Sequence, residues 1–224
     1  MIDRVGVVIP AHNEEALLPA CLESVLRSSA RIDVPVRVVV VLDRCTDQTR
    51  AVVRQYREVQ AVDVIARNVG VARAAGARAV LRWARWSRPD AVWLATTDAD
   101  TTVPPAWLRR QVDYAARGWD AFAGTVTVSD WSDHHVDVQR AWTASYKPVD
   151  GHDHVHGANF GCTVAAYLRA GGWAPLASDE DVALLAALSG RRVLRSAANP
   201  VVTSARRAPR AVGGFGDTVR ELAG

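Results

Sequence analysis

Asp98 and Asp100 stand one residue apart at the foot of the apolar run Val92-Trp93-Leu94-Ala95. In extended backbone, residues i and i+2 project to the same side, so both carboxylates can address one ligand. Such a pair suits Mg²⁺ or Mn²⁺, hard cations that take one or two protein carboxylates and complete their shell with water and substrate phosphate. Taken alone, an Asp-x-Asp at a strand end also fits a solvated turn. Two further clusters have chemistry to offer. His152, His154 and His156 occupy alternate positions, which would align three imidazoles as a metal face on an extended segment. The alternative is a polar acceptor loop, since Mn²⁺ prefers oxygen to imidazole. Asp179, Glu180 and Asp181 open a helical pattern that stops at Gly190; acids in a first turn also stabilise the helix electrostatically.

The elements that must position these groups alternate. A uniformly apolar strand over 5–9 ends at Pro10, and a helix follows through Leu17, Leu18, Cys21, Leu22, Val25 and Leu26, with Pro19 in its first turn. A strand over 36–42 leads to a helix over 47–57 that Thr46 is placed to cap. A strand over 61–66 precedes an Ala-rich helix over 71–86, whose Arg78, Arg82 and Arg85 face solvent. The strand at Val92 then reaches Asp98. Strands alternating with helices predict an α/β fold, a mostly parallel, Rossmann-like sheet flanked by helices. Ligands of such sheets collect outside the carboxyl ends of the strands, here 11–14, 43–47, 67–70 and 98–100. No Gly-x-Gly-x-x-Gly or Gly-Lys-Ser/Thr loop follows the first strand, which disfavours a dinucleotide dehydrogenase or P-loop NTPase.

The second half is less regular. A helix after Pro104-Pro105, a strand over 121–128, an aromatic-rich helix over 131–146 and a helix after Asp179 are predicted. Two short strands, 193–194 and 201–202, precede a Gly-rich basic tail. One domain over 1–224 is expected, with a functional division near 103. At 224 residues the chain is long enough to bury a substantial core. No apolar run approaches the ~20 residues of a membrane span, and no secretory leader is evident. The expected location is cytoplasmic, compatible with peripheral membrane contact. Three widely spaced cysteines read as reduced structural thiols. The net charge of +3 rests almost wholly on arginines scattered along the chain, Lys147 being the single lysine. That pattern gives no nucleic-acid footprint, although arginine suits phosphate.

The stretch from Val7 through Pro10, Asn13 and Glu14 to Glu15 resembles the first strand and nucleotide loop of the family 2 glycosyltransferases of the GT-A fold. The resemblance runs in order along nearly the whole chain. Val39 to Thr49, with Asp43 and Asp47, is similar to the family's second strand and Asp-rich turn; Asn68-Val69-Gly70 with Arg73 is similar to its Asn-x-Gly segment. Asp98-Ala99-Asp100 resembles its metal motif, Gly157-Ala158-Asn159 and Gly171-Gly172-Trp173 its acceptor-side elements, and Glu180-Asp181 the pair that carries its base.

The resemblance implies inverting transfer of a sugar from a UDP- or GDP-linked donor to an acceptor hydroxyl on a small molecule, glycan or lipid, assisted by Mn²⁺ or Mg²⁺. It implies Asp181 as base, Asp100 as metal ligand, and Asp98 with Ala99 beside the ribose or a metal-bound water. Pro10, Ala11, Asn13, Glu14 and Asp43 would hold base and ribose, while Arg67, Asn68 and Arg73 approach the base or phosphates. Asn159, Trp173 and Glu180 would lie on the acceptor side. The resemblance also implies a nucleotide-binding half over 1–103 and an acceptor-binding half over 104–224. His156 is the expected extra metal ligand, Trp131, Trp142 and Tyr146 are candidate stacking surfaces, and Arg206, Arg207 and Arg210 candidate diphosphate clamps. The pattern departs at Leu42, where the family has an aspartate, and at Arg44-Cys45, which would set a cation beside the nucleotide. Asp179 is the neighbouring alternative for the base. A homodimer is compatible with this reading. The rival functions are nucleotidyl transfer and nucleotide-sugar binding without chemistry.

Overall fold

The computed structural model describes residues 1–206. Its first half follows the expected alternation. β1 (Arg4–Ala11), β2 (Val36–Asp43), β3 (Val59–Val64) and β4 (Val92–Thr96) alternate with α1 (Leu18–Ser29), α2 (Thr49–Val53) and α3 (Val69–Trp83). The second half comprises α4 (Trp107–Ala116), β5 (Ala121–Val128), α5 (Val136–Ser145), β6 (Phe160–Thr163), α6 (Val164–Arg169), α7 (Glu180–Ala187) and β7 (Val193–Thr203). All seven strands join one sheet in the order β3-β2-β1-β4-β6-β5-β7. β1 to β4 pair in parallel, β6 lies antiparallel to both β4 and β5, and β7 is parallel to β5.

Side-chain alternation along the strands builds a core on each face. Val38, Val40 and Leu42 of β2 point to the α1 and α4 side, whereas Val39 and Val41 point to the side of α3, α6 and α7. Each Val or Leu removed from water this way contributes about 1.5–3 kcal/mol. Close packing fixes α3 on β1: a Cβ at Gly76 would lie 2.4 Å from a Val8 methyl. The three cysteines are free, and the Cys21 thiol donates to the Asp98 carbonyl at 3.2 Å. Among the described residues, no helix is long and apolar enough to cross a membrane.

Several local expectations are corrected. β6 and α6 carry no periodic signal, because β6 is only four residues long and buried on both faces, and α6 follows it directly. The two short C-terminal strands are one strand, β7, whose pairing with β5 shifts register between Gly124 and Val126. α2 is shorter than predicted and Thr46 does not cap it; the Asp47 carboxylate accepts from the Thr49 amide at 3.0 Å instead. α5 starts late, after the Asp130 carboxylate has turned the chain by accepting from the Ser132 amide at 2.9 Å.

Candidate active site

The loops at the carboxyl ends of β1 to β4 face α5, α7 and the end of β7 across a cleft of about 740 Å³. Pro10, Ala11, Glu14, Asp43, Arg67 and Asn68 line one side, with Asp98, Ala99 and Asp100 at its floor. Much of this rim is spent on shaping itself. The Asp43 carboxylate accepts the amides of Ala66, Arg67 and Asn68 at 2.8–2.9 Å, fixing the loop after β3. Asn68 caps α3 by accepting from the Val71 amide at 2.9 Å. Asn13, expected at the nucleotide, lies outside this cleft and pins two loops instead. It adopts φ 56°, a region asparagine tolerates, and its Oδ1 accepts from the Thr46 amide at 2.8 Å. Arg44 is exposed and also lies outside the cleft, so it sets no cation there. His12, which carries no signal of its own in the sequence, also lines the cleft, with Nδ1 2.7 Å from the Asp43 carbonyl. A carbonyl can only accept, so Nδ1 carries a proton.

Arg73 joins the two halves. Its guanidinium is buried and donates to Asp98 and to Glu180, and the Trp173 ring lies 5.3 Å from it. Arg73 is expected from the resemblance to approach the nucleotide, and Glu180 and Trp173 the acceptor; the structure makes all three a buried bridge between the Asp98–Asp100 segment and α7. A side chain larger than glycine at 157 would strike that guanidinium, with a Cβ only 2.1 Å from Nη1. Burial pushes the Glu180 carboxyl up, and Arg73 opposes this. Asn159, another acceptor-side expectation, is fully buried: it accepts from Trp107 Nε1 at 2.9 Å and donates to the carbonyls of Thr125 and Asn199. It braces β5 against β7. Its amide satisfies buried backbone groups, which is why it cannot also face a ligand.

Asp100 is the most perturbed acid at the floor. Burial pushes it up to about 7, Arg206 opposes this, and Asp98 and Glu14 add to the rise. Arg206 donates to both Glu14 oxygens and, at 2.9 Å, to Asp100 Oδ2. Arg207 and Arg210 lie outside the described residues. A desolvated carboxylate crowded by two others is a position where added positive charge is favoured, and Asp98 and Asp100 present hard oxygen donors. The donor set therefore fits Mn²⁺ or Mg²⁺.

The histidines do not extend this set. Among the described residues, no group of three or more His, Cys, Asp or Glu side chains is arranged to hold a metal ion. His154 Nε2 contacts the Lys147 carbonyl at 3.2 Å, and His152 is buried. His156 lines the cleft, but its Nε2 is 3.0 Å from the Tyr146 hydroxyl, which itself accepts from the Val126 amide. In either tautomer that nitrogen is engaged with the hydroxyl. Tyr146 in turn stacks on Trp142 at 4.5 Å and on His154 at 4.0 Å. Trp142, Ser145 and Tyr146 form the cleft wall opposite the nucleotide loops, and Ser145 gave no sequence signal.

Burial, with the nearby His154, pushes His156 down from the ordinary 6.5 to about 4. Between those values the unfolded chain binds a proton that the folded chain does not, so stability rises with pH across that interval. The contribution is complete above 6.5 and is lost as the pH falls toward 4. Asp100, pushed up to about 7, acts in the opposite sense over the same interval, so the test is a difference: the urea midpoint of the wild type relative to His156→Gln should rise from pH 4 to 6.5. An unchanged slope in the variant would remove His156 as its source.

Asp181 lies at the start of α7 and opens into the same cleft as Asp98 and Asp100. Its Oδ2 accepts from the Gly157 amide at 2.6 Å and its Oδ1 from the Val182 amide at 2.8 Å. Each oxygen keeps one lone pair. Glu180 is consumed by Arg73, and Asp179 is exposed at φ 60°.

Comparison with known proteins places this geometry. The chain is 30% identical over 174 residues to undecaprenyl-phosphate 4-deoxy-4-formamido-L-arabinose transferase of Aeromonas hydrophila, covering 75% of this chain and 50% of that protein. The enzyme of the same name from Pectobacterium carotovorum is 33% identical over 129 residues, 56% of this chain and 37% of that one. The chain thus spans about half the length, or less, of the curated relatives it matches. Among solved structures, mannosyltransferase PcManGT from Pyrobaculum calidifontis, in complex with GDP-Man and Mn2+, superposes with a TM-score of 0.66 at 20% identity, over 94% of this chain and 59% of that one. S. aureus TarS 1-349 in complex with UDP gives 0.65 at 14% identity, over 91% and 61%. At these identities the likeness shows the GT-A fold alone. Residues 6–170 match the family described as glycosyl transferase family 2, and with so much of the sheet and cleft inside that match, the chain belongs to this family.

Proposed function

We propose that this chain transfers a sugar from a UDP- or GDP-linked donor to an acceptor hydroxyl, with inversion and with the help of Mn²⁺ or Mg²⁺. The observation that carries the reading is the meeting of Asp98, Asp100 and Asp181 in one cleft, with Arg73 bridging Asp98 to Glu180, the residue before Asp181. The β1 to β3 loops, through Pro10, Ala11, Asp43, Arg67 and Asn68, receive base and ribose. Asp98 and Asp100 would hold the divalent cation, which when bound supplies Lewis-acid charge against the departing diphosphate. Arg206, already at Asp100, is positioned to pair with the diphosphate oxygens. Asp181 accepts the acceptor proton from the face opposite the leaving group.

The curated relatives are named for an undecaprenyl-phosphate acceptor, which makes a lipid phosphate reached by peripheral membrane contact the second reading. Calorimetry with UDP and GDP, each with and without Mn²⁺, tests the donor side. One diphosphate is expected to bind more tightly with Mn²⁺ present. Binding of neither under any condition would discredit the enzyme. Pyrophosphate in place of nucleoside diphosphate as the product would favour nucleotidyl transfer.

A further inference from the structure

We infer that Arg206 is a tethered placeholder for the divalent cation: it competes with the cation for Asp100, and a nucleoside diphosphate relieves that competition by drawing the guanidinium away. The inference rests on the glycosyltransferase reading and adds a regulation of the same site. Backbone pairing sets the contact up. Thr102 and Val202 exchange amide-to-carbonyl hydrogen bonds at 2.8 and 2.9 Å, and the Thr101 and Thr203 hydroxyls meet at 3.0 Å. The segment after Asp100 is thus zipped to the end of β7, which brings Arg206 to the floor of the cleft.

The guanidinium makes two unequal attachments. Both Glu14 oxygens accept from it as a fork, Oε2 from Nη1 at 2.7 Å, whereas Asp100 accepts only through Oδ2, from Nη2 at 2.9 Å. Two parallel charge-assisted bonds hold better than one, so Glu14 is the anchor and Asp100 the exchangeable partner. Glu14 is itself fixed, its amide donating to the Thr49 hydroxyl at 2.7 Å. The side chains of Glu14, Asp100 and Arg206 are only 5%, 16% and 21% exposed, so solvent and salt screen these charges weakly.

A divalent cation held through Asp100 would share one carboxylate with the guanidinium. Like charges on one poorly solvated group repel, so the cation selects the arrangement in which Arg206 has released Asp100. With that arrangement populated less than about 10% of the time, apparent cation affinity falls at least about tenfold. A nucleoside diphosphate shifts the balance, because its oxygens offer Nη2 another anionic acceptor and leave Asp100 to the cation. Cation and diphosphate then favour each other's binding, by the same factor from either side.

The test follows Mn²⁺ binding to the full chain by loss of the free-ion paramagnetic resonance signal, with no sugar donor present. Without nucleotide, Arg206→Gln is expected to bind Mn²⁺ at least tenfold more tightly than the wild type. Adding Asp100→Asn should abolish that gain, which locates it at this carboxylate. Whichever of UDP and GDP binds should enhance Mn²⁺ affinity at least fivefold less in Arg206→Gln than in the wild type. Thermal unfolding checks that the variants fold. Should Arg206→Gln not fold, Arg206→Gln with Glu14→Gln strands no buried charge and takes its place, with the same direction expected. Mn²⁺ affinity equal to or weaker than that of the wild type overturns the inference and leaves Arg206 as a structural tie between the end of β7 and the β1 loop. A gain that survives Asp100→Asn overturns it too. Absence of binding by either diphosphate sinks the glycosyltransferase reading separately, while the nucleotide-free comparison still decides whether Arg206 competes with the cation.

Discussion

Asp181→Asn is expected to lower sugar transfer by about 10²- to 10⁴-fold, the usual contribution of a positioned base, with nucleoside diphosphate affinity kept within about twofold of the wild type, since such a change removes stabilisation of the transition state and not ground-state binding. The separation follows from position. Asp181 opens on the cleft from α7, across from the β1 to β3 loops that would take base and ribose. Asparagine keeps one acceptor oxygen for either the Gly157 or the Val182 amide but cannot take a proton. The measurement is initial-rate kinetics beside calorimetric titration of the diphosphate, with thermal unfolding to show that the variant folds. Asp179→Asn is the control and should remain near wild type, because Asp179 is exposed. Turnover of Asp181→Asn within threefold of wild type, with loss in Asp179→Asn, would move the base by two residues. Near-normal turnover in both variants would point to an acceptor that arrives already ionised, and so to the lipid phosphate.

The second large effect concerns stability. Arg73→Met should destabilise the fold by about 3–5 kcal/mol, the penalty for breaking a buried ion pair from one side. At this chain length that is about 6–20 °C in Tm. Both partners in the Glu180 pair are almost inaccessible, with side chains 3% and 5% exposed, so solvent does not screen the loss. Without the guanidinium, the Glu180 carboxylate stays buried and uncompensated unless it takes a proton. Removing both buried charges should cost less than removing one: Arg73→Met with Glu180→Gln is expected to regain a substantial part of the loss, because the remaining partner, Asp98, is 36% exposed and can be solvated. Urea unfolding of the two single variants and the double variant gives the coupling energy directly. A single Arg73→Met variant within 1 kcal/mol of wild type would show that the bridge does not hold the halves together. Activity should fall in the same variant, since Asp98 and α7 lose their common tie.

What the sequence carried by itself was local. Apolar runs ending in polar residues located β1, β2 and β4, and the parallel-sheet rule put their loops on one rim. Pattern drew attention to the segments around 11–14, 43–47, 67–70 and 98–100, and the family resemblance singled out Pro10, Ala11, Glu14, Asp43, Asn68, Asp98, Asp100 and Asp181, all of which line the cleft. Tertiary structure decided what each side chain is free to do. Arg73 reads as one more arginine at the start of the Ala-rich helix, yet its partner Glu180 lies 107 residues away. Arg206 reads as tail charge, yet it reaches Glu14 across 192 residues. Asn13 and Asn159 sit in motif positions but spend their amides on backbone groups that only the folded chain brings near. The physical reason is common to these cases. Periodicity reports which face of an element meets the core, a property of neighbours in sequence. The pairing of a buried charge or amide depends on whichever distant group the packed sheet leaves without a partner, and no spacing in the chain encodes that.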